Sequence, residues 1–183
     1  MTPDRITSSC SGRSEIKCQG TGVSAPPLNC GVRRHMNGQL HPPSAVAFYR
    51  GALSYAHAAT ELGSLHDPPI DPLGLLVSHC LELSLKAYLL HVGVPEDRLR
   101  RSIGHNLVAA WEQAASRGLS LEAPIPYWVQ VLSFAHDAPY LYRYGRQNTA
   151  TVVPETRQLL QDLNAVVVLV GNAVGLDGGG NAV

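Results

Sequence analysis

Residues 71–91 read Asp71-Pro72-Leu73-Gly74-Leu75-Leu76-Val77-Ser78-His79-Cys80-Leu81-Glu82-Leu83-Ser84-Leu85-Lys86-Ala87-Tyr88-Leu89-Leu90-His91, with Gly93 two residues on. Asp71 suits a helix N-cap and Pro72 the first helical position, where its missing N–H removes no bond. Gly93 closes the segment as the residue past the end. Leu76, Cys80, Leu83, Ala87 and Leu90 recur at steps of three and four, with Val77, Leu81 and Tyr88 beside them. That is helical spacing, and apolar residues surround most of the circumference. Such a helix belongs at the centre of a bundle, so its few polar residues are the informative ones.

Working outward, Ser44 after Pro42-Pro43 is a good N-cap, and Phe48, Ala52, Tyr55, Ala59 and Leu62 form an apolar stripe. A first helix is expected from Ser44 to Leu62, with Arg50, Ser54, His57 and Glu61 on its other side. After a charged loop from Pro95 to Arg101, Gly104-His105-Asn106 leads into a helix over Leu107–Arg117. A shorter one is expected over Tyr127–His136. The last should start near Pro154 and run to Val174, facing Leu159, Leu163, Val166, Val167 and Val170 inward. No segment alternates like a strand. The predicted fold is all-α, an antiparallel bundle of four main helices and one short one.

Residues 1–43 are rich in Ser, Gly, Pro and Thr without periodicity, which predicts a disordered leader. The expected organisation is leader 1–43, bundle 44–176 and a Gly-rich flexible tail 177–183. Met36 stands just before the first helix and is an alternative start of translation.

Of the 183 residues, 45% are hydrophobic, enough for one ordinary core. Residues 1–40 carry five basic and two acidic groups, leaving nine basic and twelve acidic for the rest. A mildly acidic body argues against sequence-blind binding to long nucleic acid, which needs a broad basic face. Cys10, Cys18 and Cys30 match no zinc spacing, and Cys80 on an apolar helix reads as a small buried hydrophobe. No disulfide scaffold is implied, the first thirty residues hold no apolar signal segment, and Leu163–Val170 is too short to span a bilayer. The expectation is a cytoplasmic protein with no membrane partner and no cofactor or metal.

Three groups of residues are candidates for chemistry. His79, Glu82 and Lys86 are spaced by three and four and share one helix face, either as a solvated strip or as a semi-buried polar cleft. His105 and Asn106 stand at a helix start, where either caps the helix or His105 serves as acid, base or ligand. Tyr140-Leu141-Tyr142-Arg143-Tyr144-Gly145-Arg146 interleaves rings with guanidinium groups. That mix suits stacking on bases and contacting phosphate, or packing a loop across the bundle. No phosphate-binding loop, dinucleotide, zinc-protease or nucleophile-elbow motif occurs.

The stretch His79 to Ala87, reading H-x-x-E-x-x-x-K-A, and the turn Gly104-His105-Asn106-Leu107 resemble uncharacterised bacterial members of the HEPN superfamily, small helical bundles linked to RNA cleavage, nucleotide binding and toxin–antitoxin pairs. The resemblance implies a homodimer, with RNA, a nucleotide or an antitoxin protein as partner. Its ribonucleases carry Arg, four to six residues, then His, and Arg100 with His105 fits, as does Arg98. In a metal-independent nuclease of this kind His105 would be acid or base on the 2′-hydroxyl and leaving oxygen, and Arg100 would stabilise the phosphorane. In such nucleases the motif usually lies late in the bundle, where no His follows His136 here. The expectation is therefore a non-catalytic binding module using His79, Glu82, Lys86, Asn106, Tyr142, Arg143, Tyr144 and Arg146. The nuclease and a plain helical scaffold are the alternatives.

Overall fold

The computed structural model describes residues 44–145 and 150–183, so the expected leader lies outside the described residues. Those residues are helical, with no named strand among them: α1 (Ala45–Gly63), α2 (Ile70–His91), a helical turn α3 (Glu96–Arg98) running into a π-helical turn (Leu99–Ile103), α4 (Leu107–Ser116), α5 (Tyr127–His136) and α6 (Thr156–Val174).

α2 is central: it packs against α1, α4, α5 and α6. Leu73, Val77, Leu81, Leu85 and Leu89 are fully buried, each leucine contributing about 1.5–3 kcal/mol by leaving water. Its length and apolarity would suffice to cross a membrane, but 72% of its most apolar window is buried inside the protein.

Local chemistry sets the ends. The Ser44 hydroxyl accepts from Ala47 N–H at 3.1 Å, as expected of an N-cap. Glu155 caps α6, its carboxylate accepting from the N–H groups of Arg157 and Gln158, so that helix starts just past Pro154. Its five predicted inward residues are all buried.

Four details differ from the sequence reading. Asp71 does not cap α2, which starts at Ile70 with Pro69 before it. Instead the Thr151 hydroxyl donates to Asp71, tying α2 to the segment ahead of α6. On α1 the fully buried aromatic is Tyr49 rather than Phe48, because its hydroxyl reaches the Val167 carbonyl at 3.2 Å on α6. The charged stretch after Pro95 is not a loop but helical turns that bury Leu99 and Ile103. Beyond Gly175, Leu176 is buried and bridges to Ala182, while Arg50 Nε donates to the Gly180 carbonyl at 3.1 Å. The expected fraying is replaced by a closed turn on α1.

Candidate functional site: a buried carboxylate ringed by imidazoles

Glu82 sits in the middle of α2 and is only 4% exposed. A lone carboxylate there would cost several kcal/mol, about as much as burying two leucines returns. The surroundings answer that cost. Lys86, one turn on, donates to Oε1 at 2.6 Å. Around Oε2 stand three imidazoles: His136 Nε2 at 2.6 Å, His105 Nδ1 at 3.0 Å and His79 Nδ1 at 3.7 Å. Of the two readings of the α2 strip, the semi-buried cleft is the one found.

The neighbours come from three parts of the chain. His79 and Lys86 share the Glu82 face of α2 by helical spacing. The Gly104-His105-Asn106 turn divides its tasks by residue. The Gly104 carbonyl accepts from Lys86 Nζ at 2.6 Å, and the His105 ring turns to Glu82. Asn106 caps α4, its side chain accepting from Ala109 N–H at 2.8 Å. Asn106 therefore caps the helix through its side-chain oxygen. Gly104 has φ +57 and ψ −118, a conformation that suits only glycine. His136 ends α5 with its side chain wholly buried, and Ser133 one turn earlier accepts from the N–H groups of Leu107 and Val108.

Burial pushes the Glu82 carboxyl up, but the bond from His136, the charge and bond of Lys86 and the bond from His105 outweigh it. The group is held well below the usual carboxylate range. His79 is lowered, chiefly by burial, against the pull of Glu82 and with help from the charges of His136, Arg143 and His105. Its Nδ1 is buried without a hydrogen-bond partner, as is His136 Nδ1. Cys80, behind this face, is pushed up to about 12 by burial, which agrees with a small buried hydrophobe.

The cluster opens on a recess of about 480 Å³ lined by Phe48, Glu82, Lys86, Arg100, His105 and Tyr140, among others. The side chain of His105 is 33% exposed at its rim; that of His79, which does not line the recess, is 26% exposed. His105 meets Tyr140 edge to face at 5.8 Å between ring centres, and Arg143 lies over the Tyr140 ring at 5.5 Å. Tyr140 has φ +59, a left-handed conformation unusual for a non-glycine residue.

Of the residues singled out from sequence, His79, Glu82, Lys86, Arg100 and His105 converge here, with Arg143 above Tyr140. Tyr144 is 68% exposed and touches the site only through Tyr140, at 6.4 Å between ring centres. Tyr142 is a core residue: it is buried, its hydroxyl donates to the Val152 carbonyl at 2.9 Å, and its ring lies where a side chain at Gly74 would stand. Its assignment to ligand binding is thereby corrected. Arg146 lies outside the described residues. Sequence reasoning missed His136. The available signal was its position on the stripe of Val129, Leu132 and Ser133, which marks it as inward-facing.

His79, Glu82 and His136 also present ligand atoms within 4.8 Å of one another, a grouping that could hold a metal ion and that no spacing in the sequence suggested. Comparison with protein-family models, with curated proteins and with solved structures gave no match for this chain.

Proposed function

We propose that the chain is a HEPN-like antiparallel bundle acting as a binding module, and that the recess beside Glu82 takes a phosphate-bearing ligand, a nucleotide or single-stranded RNA. The observation that carries this reading is the shared recess itself. Arg100 and His105 line one opening with Tyr140, and Arg143 lies on the Tyr140 ring. A guanidinium and an imidazole supply donors to phosphate oxygens, and an aromatic face beside them suits a base. The small opening fits a body of mildly acidic charge, since a local cluster can hold a short ligand where a broad basic face is lacking. A homodimer and an antitoxin-like protein partner belong to the same proposal through the HEPN resemblance.

A second reading, metal-independent RNA cleavage, is favoured by one contact. Glu82 accepts from or pairs with His105 Nδ1 at 3.0 Å, which leaves Nε2 free at the rim. A carboxylate that fixes one ring nitrogen and frees the other is how an imidazole is prepared as acid or base.

Fluorescence polarisation with a short labelled single-stranded RNA tests the binding module. Binding should weaken in Arg100→Ala and Arg143→Ala, and the salt slope should fall by about 0.7 for each phosphate contact removed. RNA and nucleotides that fail to bind at low salt, or affinity indifferent to both substitutions, would sink it. The same samples on a gel test cleavage: in EDTA it should be lost at least about a hundredfold in His105→Ala while affinity persists.

A further inference from the structure

We infer that His79, Glu82 and His136 form a site for one divalent transition-metal ion of the zinc class, whose remaining coordination position opens to the recess. The ligand atoms are His79 Nδ1, Glu82 Oε2 and His136 Nε2, all within 4.8 Å of one another. Two ligands of a tetrahedral zinc, each about 2.0–2.1 Å from the ion, lie about 3.4 Å apart. The separations from Oε2 are 3.7 Å to His79 and 2.6 Å to His136. They bracket that value.

The orphaned atom is the second observation. His79 Nδ1 is buried and lacks any hydrogen-bond partner, although it faces the carboxylate. At 3.7 Å it is too far to bond Glu82, but it is well placed as a second ligand beside it. A buried nitrogen left in this way costs free energy that an ion would return. The donor set is chemically apt too. Two imidazoles and one carboxylate suit zinc and its neighbours, and three protein ligands with one free position is the arrangement of an open site.

The partners one layer out fit the same role. Lys86 holds Oε1 at 2.6 Å, which leaves Oε2 to coordinate through one oxygen and fixes the plane of the carboxylate. Since the charge of Glu82 is already matched by Lys86, a bound dication would keep its full positive charge. That favours an anionic fourth ligand, hydroxide or a phosphate oxygen entering beside His105 and Arg100. The inference does not depend on RNA being the ligand, because metal uptake is read without any nucleic acid.

The test uses the full chain, reduced and stripped with a chelator. Zinc is titrated by calorimetry and cobalt(II) by visible absorption. One equivalent should bind, and His79→Gln, at a side chain 26% exposed, should weaken it at least about a hundredfold. The wild-type cobalt spectrum needs no variant: it should carry tetrahedral ligand-field bands with no thiolate charge transfer. No uptake would overturn the site. So would a thiolate band, which would put the ion on a cysteine, or affinity unchanged by His79→Gln, which would remove His79 from its ligands.

Discussion

Lys86 Nζ stands 2.6 Å from Glu82 Oε1 and 2.6 Å from the Gly104 carbonyl oxygen, so one buried ammonium joins the middle of α2 to the turn that carries His105. Removing either charge strands the other in the protein interior. Lys86→Met and Glu82→Gln should each cost about 3–5 kcal/mol in urea denaturation. The double variant should cost clearly less than the two together. Additive losses below about 0.5 kcal/mol would mean a solvated pair.

Gly104 turns the chain at φ +57 so that its carbonyl meets Lys86 and the next side chain meets Glu82. Alanine finds open space there, with no atom closer than 3.9 Å to an added methyl. The cost is therefore backbone strain and not a clash, about 1–3 kcal/mol. Gly104→Ala should lower the unfolding midpoint and also weaken ligand binding at the recess. An unchanged midpoint would show that the turn relaxes freely.

The helices were legible in the sequence because their signals are local. The Ser44 cap, the bounds of α5 and the stripe of α6 read correctly from local signals alone. What escaped depends on residues distant in the chain. Tyr49 wins the core position from Phe48 only because Val167 offers a carbonyl 118 residues away. Asp71 is drawn from capping by Thr151, 80 residues on. In the site, the α2 face could be read from helical spacing, and Arg100 with His105 is singled out by the HEPN resemblance. For the third imidazole the α5 stripe could mark His136 as inward-facing but not name its partner: it reaches Glu82 across 54 residues, and only folding makes them neighbours.

Tyr142 gives the core a pH limit. Burial, helped by the charge of Asp71, pushes its hydroxyl up to about 12. An unfolded tyrosine releases its proton near pH 10. Between the two values the folded chain holds more protons than the unfolded one, so stability falls as pH rises from about 10 to about 12. The share of Tyr142 in the loss should approach about 1.4 kcal/mol per pH unit, and that share should vanish in Tyr142→Phe, leaving the shares of Cys80 and Tyr49. Denaturation series at matched alkaline pH for both proteins measure the difference. Parallel curves would contradict the assignment.

Cys80 should resist thiol reagents in the native chain. Its sulfur is buried and its thiol sits near 12, so almost no thiolate is available at neutral pH. Labelling with iodoacetamide followed by peptide mapping should leave Cys80 unmodified until denaturant is added. Prompt native labelling would mean that α2 opens far more readily than its packing implies.

The convergence on Glu82 has a dynamic consequence. The carboxylate joins α2, the turn before α4 and the last residue of α5, and Ser133 fastens α5 to the first turn of α4 as well. These segments cannot loosen one at a time without stranding charge, so hydrogen exchange in the first turn of α4 and at the end of α5 should report one shared opening free energy. The recess then exists whole or not at all, and a ligand that grips only its rim would slow exchange at residues it never touches.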